Sequence, residues 1–116
     1  IGACTPEAEE KCALMAAREI RDYLENGNIS NSVNLPAAVL DRLGASRLCL
    51  LHENKPGMLN AFLEIIAGGG FNVEHMLNKA RGGLAYTIFD TEPALDESVA
   101  ERMRAIPGVK RVRLLH

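Results

Sequence analysis

From residue 47 onward, the hydrophobic pattern changes repeatedly between strand-like and helix-like spacing. Short apolar stretches predict four strands, and apolar residues three or four positions apart predict two intervening helices. The elements in order are strand 47–52, a helix carrying Leu59, Phe62, Leu63 and Ile66, strands 71–79 and 84–90, a helix carrying Val99, Met103 and Ile106, and a strand around Val112 and Leu114. This βαββαβ order is typical of a ferredoxin-like α+β fold, in which a four-stranded antiparallel sheet has both helices on one face.

Turn-forming residues separate these elements. The triple glycine at 68–70 ends the first helix, residues 80–83 connect the middle strands as a hairpin, and Asp96 caps the second helix, which Pro107-Gly108 ends. No predicted strand precedes the triple glycine and no helix follows it, so it is not a dinucleotide-binding loop. The sheet face opposite the helices is expected to be wet or covered by a partner.

The N-terminal third has a different pattern, with one long predicted helix over residues 5–25. Thr5 can cap this helix and Pro6 suits its first turn. Its apolar stripe consists of Ala8, Cys12, Met15, Ala16, Ile20 and Tyr23. The polar residues that follow form no sheet able to cover this stripe, so its partner is either missing from the chain or supplied by a second copy. We therefore divide the chain into residues 1–36, a linker at 37–46, and a domain at 47–116.

Composition limits the classes of function. The chain has 116 residues, of which 47 % are hydrophobic and 4 % aromatic, with a formal net charge of −2. A nucleic-acid-binding module would need a basic surface and stacking aromatics, so we expect no nucleic-acid partner. No apolar stretch is long enough to cross a bilayer, and no signal-peptide pattern is seen, so we expect no membrane association and a cytoplasmic location.

Reactive side chains give no enzymatic signature. Cys4, Cys12 and Cys49 have neither disulfide nor zinc-site spacing, and we interpret them as reduced thiols. His52 and His75 lie on predicted strands without a supporting carboxylate or thiol pattern, so no metal site is predicted. No nucleophile stands beside a base in a recognisable motif. We predict no catalytic residue, no metal ligand and no cofactor within this chain.

The segment His52-Glu53-Asn54-Lys55-Pro56-Gly57 is the strongest candidate for a binding site. It joins a predicted strand to the start of a predicted helix, where free backbone amides favour a carboxylate. Neighbouring oxygens can accept hydrogen bonds from an ammonium group, and Gly57 allows close approach to the backbone. The segment therefore suits a small zwitterion such as an amino acid, although an ordinary strand-to-helix turn explains the same residues.

Several motifs together resemble the C-terminal regulatory ACT domain of the D-3-phosphoglycerate dehydrogenase family. They are residues 52–57, Gly70-Phe71-Asn72-Val73, residues 85–90, residues 103–109 and Arg113-Leu114-Leu115. Residues 1–8, 26–28 and 32–36 are similar to the end of that family's catalytic region. The resemblance implies that the catalytic histidine lies one position upstream of Ile1, and that the parent enzyme uses NAD. A fragment that begins there should be inactive.

The resemblance also implies a particular effector site. In serine-inhibited members, L-serine binds between two ACT domains related by a twofold axis, whose sheets join side by side. The matching residues are His52 and Asn54 from one protomer and Asn72 from the other, with Gly57 completing the effector-binding loop. We expect an amino-acid effector, with L-serine as the candidate, and a homo-oligomer formed through the sheet edge. Some members are insensitive to serine, so a ligand-free oligomerisation module is the alternative.

Overall fold

The computed structural model describes residues 6–30 and 35–116, and their side chains except those of 6–14 and 16. The elements are α1 (Pro6–Asn26), β1 (Ser46–Glu53), α2 (Met58–Gly68), β2 (Asn72–Arg81), β3 (Leu84–Glu92), α3 (Glu97–Arg104) and β4 (Val109–Leu115). The predicted element order, the ferredoxin-like α+β class and the long N-terminal helix are confirmed. Only α3 is shorter than predicted, since Ile106 lies beyond its end.

The four strands form one antiparallel sheet in the order β2-β3-β1-β4. The central strands are β3 and β1, whose side chains are largely buried, whereas β2 is an edge strand with most of its residues exposed. An exposed edge leaves a row of backbone groups able to pair with another strand. The sheet therefore presents a ten-residue edge, β2, to its surroundings.

The main hydrophobic core lies between the sheet and helices α2 and α3. Phe62 of α2 is fully buried and meets the ring of Phe89 edge to face, with ring centroids 6.3 Å apart. Other core residues are Leu48, Leu50, Met58, Ile66, Leu95, Val99, Ala100, Met103 and Val112. Because successive side chains of a strand point to opposite faces, β1 contributes Leu48 and Leu50 to this core and Cys49 to the other face.

The other face of the sheet is covered by the chain itself. Ile29 and Ala38 are buried there, and their segments pair with each other through a short antiparallel bridge. They pack with Cys49, Tyr86 and Ile88 of the sheet. The prediction that this face would be wet or covered by a partner is therefore wrong for its central part. The reason is that a few apolar residues among polar ones suffice to cover two strands.

The C-terminal end of α1 is fixed to this face by side chains of the sheet. Arg113 donates hydrogen bonds to the carbonyl oxygens of Tyr23 and Leu24, at 2.9 and 2.8 Å, and its guanidinium lies over the Tyr23 ring. The Tyr86 hydroxyl donates to the carbonyl oxygen of Gly27 at 2.6 Å. These bonds satisfy carbonyl groups that a helix end leaves unpaired. Closer to the N-terminus of α1, the side chains of Met15 and Ile20 are exposed. Part of the predicted apolar stripe therefore lacks a partner within the described residues.

A buried ion pair joins the same segments to the sheet. The Arg47 guanidinium of β1 donates to both carboxylate oxygens of Asp90 on β3, at 2.6 and 2.8 Å. Arg47 also donates to the carbonyl oxygen of Asn26, and Asp90 accepts from the amide of Leu43. Residues at both ends of the segment that covers the sheet are thus held by one ion pair. The division into a 1–36 remnant, a 37–46 linker and a 47–116 domain stays a prediction.

Candidate functional site

A cleft of about 310 Å³ opens where β1 meets α2. Its walls come from the end of β1, the connecting loop, the first turn of α2, and one residue of β2. Three of the four predicted effector-binding residues, His52, Asn54 and Gly57, line it. The other lining residues are Lys55, Pro56, Met58, Leu59, Asn60 and Asn78. The volume lies at the low end of the range for small-molecule sites, which suits an amino acid.

The loop exposes the N-terminus of α2 to this cleft. Gly57 has a φ angle of 84°, in the left-handed region, which turns the chain sharply into the helix. No side chain caps the helix there. Within the described residues, the backbone amides of Leu59 and Asn60 have no acceptor. Free amides at the positive end of a helix favour an anion, so this wall of the cleft suits a carboxylate.

His52 forms the floor of the cleft and is only 2 % exposed. Its Nδ1 lies 2.8 Å from the carbonyl oxygen of Glu53, and its Nε2 lies 2.7 Å from the Thr87 hydroxyl oxygen. The ring also meets Phe62 edge to face at 5.0 Å. Both ring nitrogens are therefore engaged within the chain, and His52 supports the cleft from below.

Asn78 is a cleft residue that the sequence analysis missed. It lies on β2 directly opposite Thr87 of β3, and the Thr87 hydroxyl donates to its Oδ1 at 3.0 Å. A row of polar side chains therefore crosses three strands, from His52 through Thr87 to Asn78. The sequence analysis did not give this pairing, because a connection at residues 80–83 would pair position 78 with position 85, whereas the observed turn at Gly82 and Gly83 pairs it with Thr87.

The hydrogen bonds of this row restrict the protonation state of the His52 ring. Thr87 has one hydroxyl hydrogen, and if it goes to Asn78, then Nε2 of His52 must donate to Thr87. The contact between Nδ1 and the Glu53 carbonyl requires a hydrogen as well. The complete row thus needs the imidazolium form. In a neutral ring with its hydrogen on Nδ1, Thr87 would donate to His52 instead, and the Asn78 amide would have to turn round.

Asn72, the fourth predicted residue, lies far from the cleft of its own chain. It opens β2 and pairs with Glu92, at the opposite end of that strand from Asn78. Six residues of extended chain separate them, a distance of roughly 20 Å. One protomer thus brings together three of the four predicted residues. The exposed edge to which Asn72 belongs is also the edge at which Asn78 lines the cleft.

Charged groups beside the loop are largely paired with each other. Glu53 forms ion pairs with Lys55 and with Lys110 of β4, and hydrogen bonding to Lys55 lowers the pKa of the Glu53 carboxyl. One carboxylate beside two ammonium groups leaves a net positive charge next to the loop, and Lys55 is the charged residue among those that line the cleft. This charge adds to the positive end of α2 in favouring a ligand that carries a carboxylate.

Other parts of the described chain offer weaker candidates. A small cavity of about 20 Å³ lies against Cys49 and Tyr86 on the opposite face of the sheet. Burial raises the pKa of the Cys49 thiol, which favours its protonated, reduced form, while the side chains of Cys4 and Cys12 fall outside the described residues.

Over residues 6–30 and 35–116, no three His, Cys, Asp or Glu side chains are grouped to hold a metal ion. No described helix has the length and apolar character of a membrane span.

We expect His52 to make stability depend on pH in a defined window. Burial lowers its pKa below 6.5, although the Glu53 carbonyl acts in the opposite direction. The unfolded chain therefore binds this proton more tightly than the folded chain does. The stability contributed by neutral His52 is complete above pH 6.5 and is lost as the pH falls through the folded pKa. NMR titration should give a midpoint below 6.5 for the resonance that disappears in His52→Gln, and a midpoint at or above 6.5 would contradict this.

Comparison with solved structures defines the class of fold. The ACT domain from GTP pyrophosphokinase of Chlorobium tepidum superposes with a TM-score of 0.53 at 19 % identity, covering 60 % of this chain and 95 % of that domain. The ligand-free regulatory subunit of aspartate kinase from Thermus thermophilus gives a TM-score of 0.52 at 15 % identity, covering 70 % of this chain and 56 % of that one. The chain therefore has an ACT-type ferredoxin-like fold.

Sequence comparison identifies the relatives more narrowly. The chain is 38 % identical over 120 residues to D-3-phosphoglycerate dehydrogenase of Escherichia coli (strain K12), and 30 % identical over 117 residues to that of Haemophilus influenzae. The D-3-phosphoglycerate dehydrogenase 1 of Saccharomyces cerevisiae is 27 % identical over 125 residues. Each match covers 100 % of this chain but only 29, 28 and 26 % of the respective relative. No family model matches. The resemblance to D-3-phosphoglycerate dehydrogenase is confirmed.

Proposed function

We propose that the chain is the C-terminal, amino-acid-binding and dimerising part of a D-3-phosphoglycerate dehydrogenase, with L-serine as its effector. The observation that carries this proposal is the cleft in which His52, Asn54 and Gly57 meet the uncapped start of α2. The similarity to these dehydrogenases over the full length of the chain supports it. The ACT-type fold provides the sheet edge that dimerisation needs.

The cleft has a partner for each end of a zwitterion. The free amides of Leu59 and Asn60 can donate to a carboxylate at the positive end of α2. The side-chain oxygen of Asn54 can accept from an ammonium group, since a carboxamide both donates and accepts. The resulting site would distinguish amino acids from simple carboxylic acids. A serine hydroxyl adds one further hydrogen bond, which gives a basis for preferring serine over glycine.

A second copy completes the site in this proposal. Two β2 edges that pair antiparallel bring the beginning of one strand beside the end of the other, so Asn72 of one protomer approaches the cleft of its partner. Occupancy would then tie two domains together across the interface. A ligand that binds one relative arrangement better than another shifts the population of that arrangement, which is how a remote active site could be inhibited.

The parent enzyme that we propose oxidises 3-phosphoglycerate to 3-phosphohydroxypyruvate with NAD in L-serine biosynthesis, in the cytoplasm. The NAD site and the catalytic residues would belong to the rest of that enzyme. Inhibition by the end product of the pathway would explain why an amino-acid site is joined to a dehydrogenase. In this chain, the hydrogen bonds of Arg47 to Asn26 and of Asp90 to Leu43, together with those of Arg113 to the end of α1, connect the ACT sheet to the preceding segment.

Calorimetric titration with L-serine, D-serine and glycine tests the proposal, and complementation tests the shared site. We expect stereoselective binding in the wild-type chain and about tenfold or greater loss in both Asn54→Ala and Asn72→Ala, since each removes a hydrogen bond to a charged ligand. When the two variants are refolded together, a mixed dimer contains one site with both asparagines and one site with neither. Binding should therefore return at reduced stoichiometry. If both residues served the same protomer's site, mixing would restore nothing.

The second candidate is a ligand-free oligomerisation module. The exposed β2 edge favours it independently of the cleft, because edge pairing needs no ligand. A dimer that gives no heat with millimolar L-serine, D-serine or glycine would support this alternative. A monomer at high concentration, measured by sedimentation, would contradict both candidates.

A further inference from the structure

We propose that Asn78 is a further effector-contacting residue, and that Thr87 and His52 orient its carboxamide so that the amide N–H groups face the ligand carboxylate. This inference rests on the proposed function of the cleft. It assigns a binding role to a residue that neither the motif resemblance nor the loop pattern included.

The position of Asn78 supports a contact with the ligand. It is the β2 residue that lines the cleft, and it faces the first turn of α2 across the opening. Its side chain is exposed, whereas Thr87 and His52 beneath it are almost completely buried. A ligand in the cleft would therefore meet Asn78 before it met either of the other two.

Thr87 determines which end of the amide is free. Its hydroxyl donates to Oδ1 of Asn78 at 3.0 Å, so the NH₂ group is the end left for a ligand. An N–H donor on this wall adds to the free amides of α2 on the opposite wall, and the two together can hold both oxygens of a carboxylate. Asn78 would thus bind the same end of the zwitterion as the helix does.

This orientation is linked to the protonation of His52. Thr87 can donate to Asn78 only while Nε2 of His52 donates to Thr87, and Nδ1 needs its own hydrogen for the Glu53 carbonyl. The described contacts of the ring are with Phe62 of α2, Thr87 of β3 and the Glu53 carbonyl oxygen, and the nearest charged side chains described are those of Glu53 and Lys55 in the loop and of Lys110 on β4. The Glu53 carboxylate forms ion pairs with both lysines. Carboxylate binding through Asn78 should therefore favour protonated His52.

Titration of the full chain with L-serine tests the contact. Asn78→Ala should weaken binding by about tenfold to a hundredfold, the range for a hydrogen bond to a charged group. Asn78→Asp should weaken it further, because a carboxylate cannot donate and repels the ligand carboxylate. If the Asn78→Asp variant bound L-serine as well as or more tightly than the wild type, the amide would be accepting from the ammonium, and the proposed orientation would be wrong. Glu64→Gln, an exposed change on α2 outside the cleft, is the matched control.

The positioning role of Thr87 has its own readouts. Thr87→Val, which keeps the shape, should lose affinity, and Thr87→Ser, which keeps the hydroxyl, should recover it. Wild-type affinity should be higher at about pH 5.5 than at about pH 8, and this dependence should vanish in Thr87→Val but persist in His75→Gln. If the wild-type chain bound L-serine and none of these variants changed the affinity, this inference would be overturned and the proposed function would stand. A wild-type chain that binds no amino acid would overturn both.

Discussion

Replacement of Arg47 by alanine is expected to destabilise the fold by about 3–5 kcal/mol, the cost of leaving one partner of a buried ion pair uncompensated. The side chains of Arg47 and Asp90 are 0 and 1 % exposed. Without the guanidinium, the Asp90 carboxylate keeps the Leu43 amide as a hydrogen-bond donor, and the carbonyl of Asn26 loses its donor. Urea unfolding followed by circular dichroism measures the loss.

A matched double variant separates the charge from the packing. Replacing both partners by apolar residues, with Arg47→Met and Asp90→Val, leaves no unpaired charge and should cost clearly less than Arg47→Ala alone. If the single change cost less than about 1 kcal/mol, as exposed ion pairs do, the pair would have to be hydrated in solution. If the double variant were the less stable of the two, the pair itself would stabilise the fold by more than its burial costs.

The sequence was sufficient for the domain because its pattern and its turns agree. Strand periodicity, the hairpin at residues 80–83 and the stops after both helices each indicate the same βαββαβ order, and a wrong register would have buried polar residues. The loop at 52–57 could be placed between a strand end and a helix start for the same reason, and its role as a binding site stays a prediction. These are local signals, which a single sequence contains.

The features that the sequence did not predict depend on contacts between residues that lie far apart along the chain. The cover over Cys49 and Tyr86 comes from Ile29 and Ala38, two apolar residues within a polar segment that has no periodicity. Arg47 at the start of a strand reads as an exposed charge until Asp90 is placed beside it. In the sequence, Asn78 looks like an ordinary edge-strand residue, and its role becomes visible only from its hydrogen bond with Thr87 and its position in the cleft. In each case, the partner lies more than eight residues away.

Gly27 shows how closely the covering segment is fitted to the sheet, and Gly27→Ala is expected to cost about 2–5 kcal/mol. The residue follows the end of α1 with a φ of 71°, where an alanine is strained by about 1–2 kcal/mol. A Cβ atom there would clash with the Cys49 sulfur and lie 3.0 Å from the Tyr86 hydroxyl oxygen. Overpacking of this kind adds about 1–3 kcal/mol.

Two controls divide this cost into its parts. Gly82→Ala has a similar φ of 62° but meets nothing within 4 Å, so it should show the conformational strain alone. Adding Cys49→Ala to Gly27→Ala removes the sulfur from the clash, and the double variant should regain part of the overpacking cost relative to the sum of the single changes. Equal losses for Gly27→Ala and Gly82→Ala in urea unfolding would mean that the end of α1 can move away from the sheet. In that case, the hydrogen bond from Tyr86 to the Gly27 carbonyl would not fix the helix end, and the end of α1 would be held to the ACT sheet by the hydrogen bonds from Arg47 and Arg113.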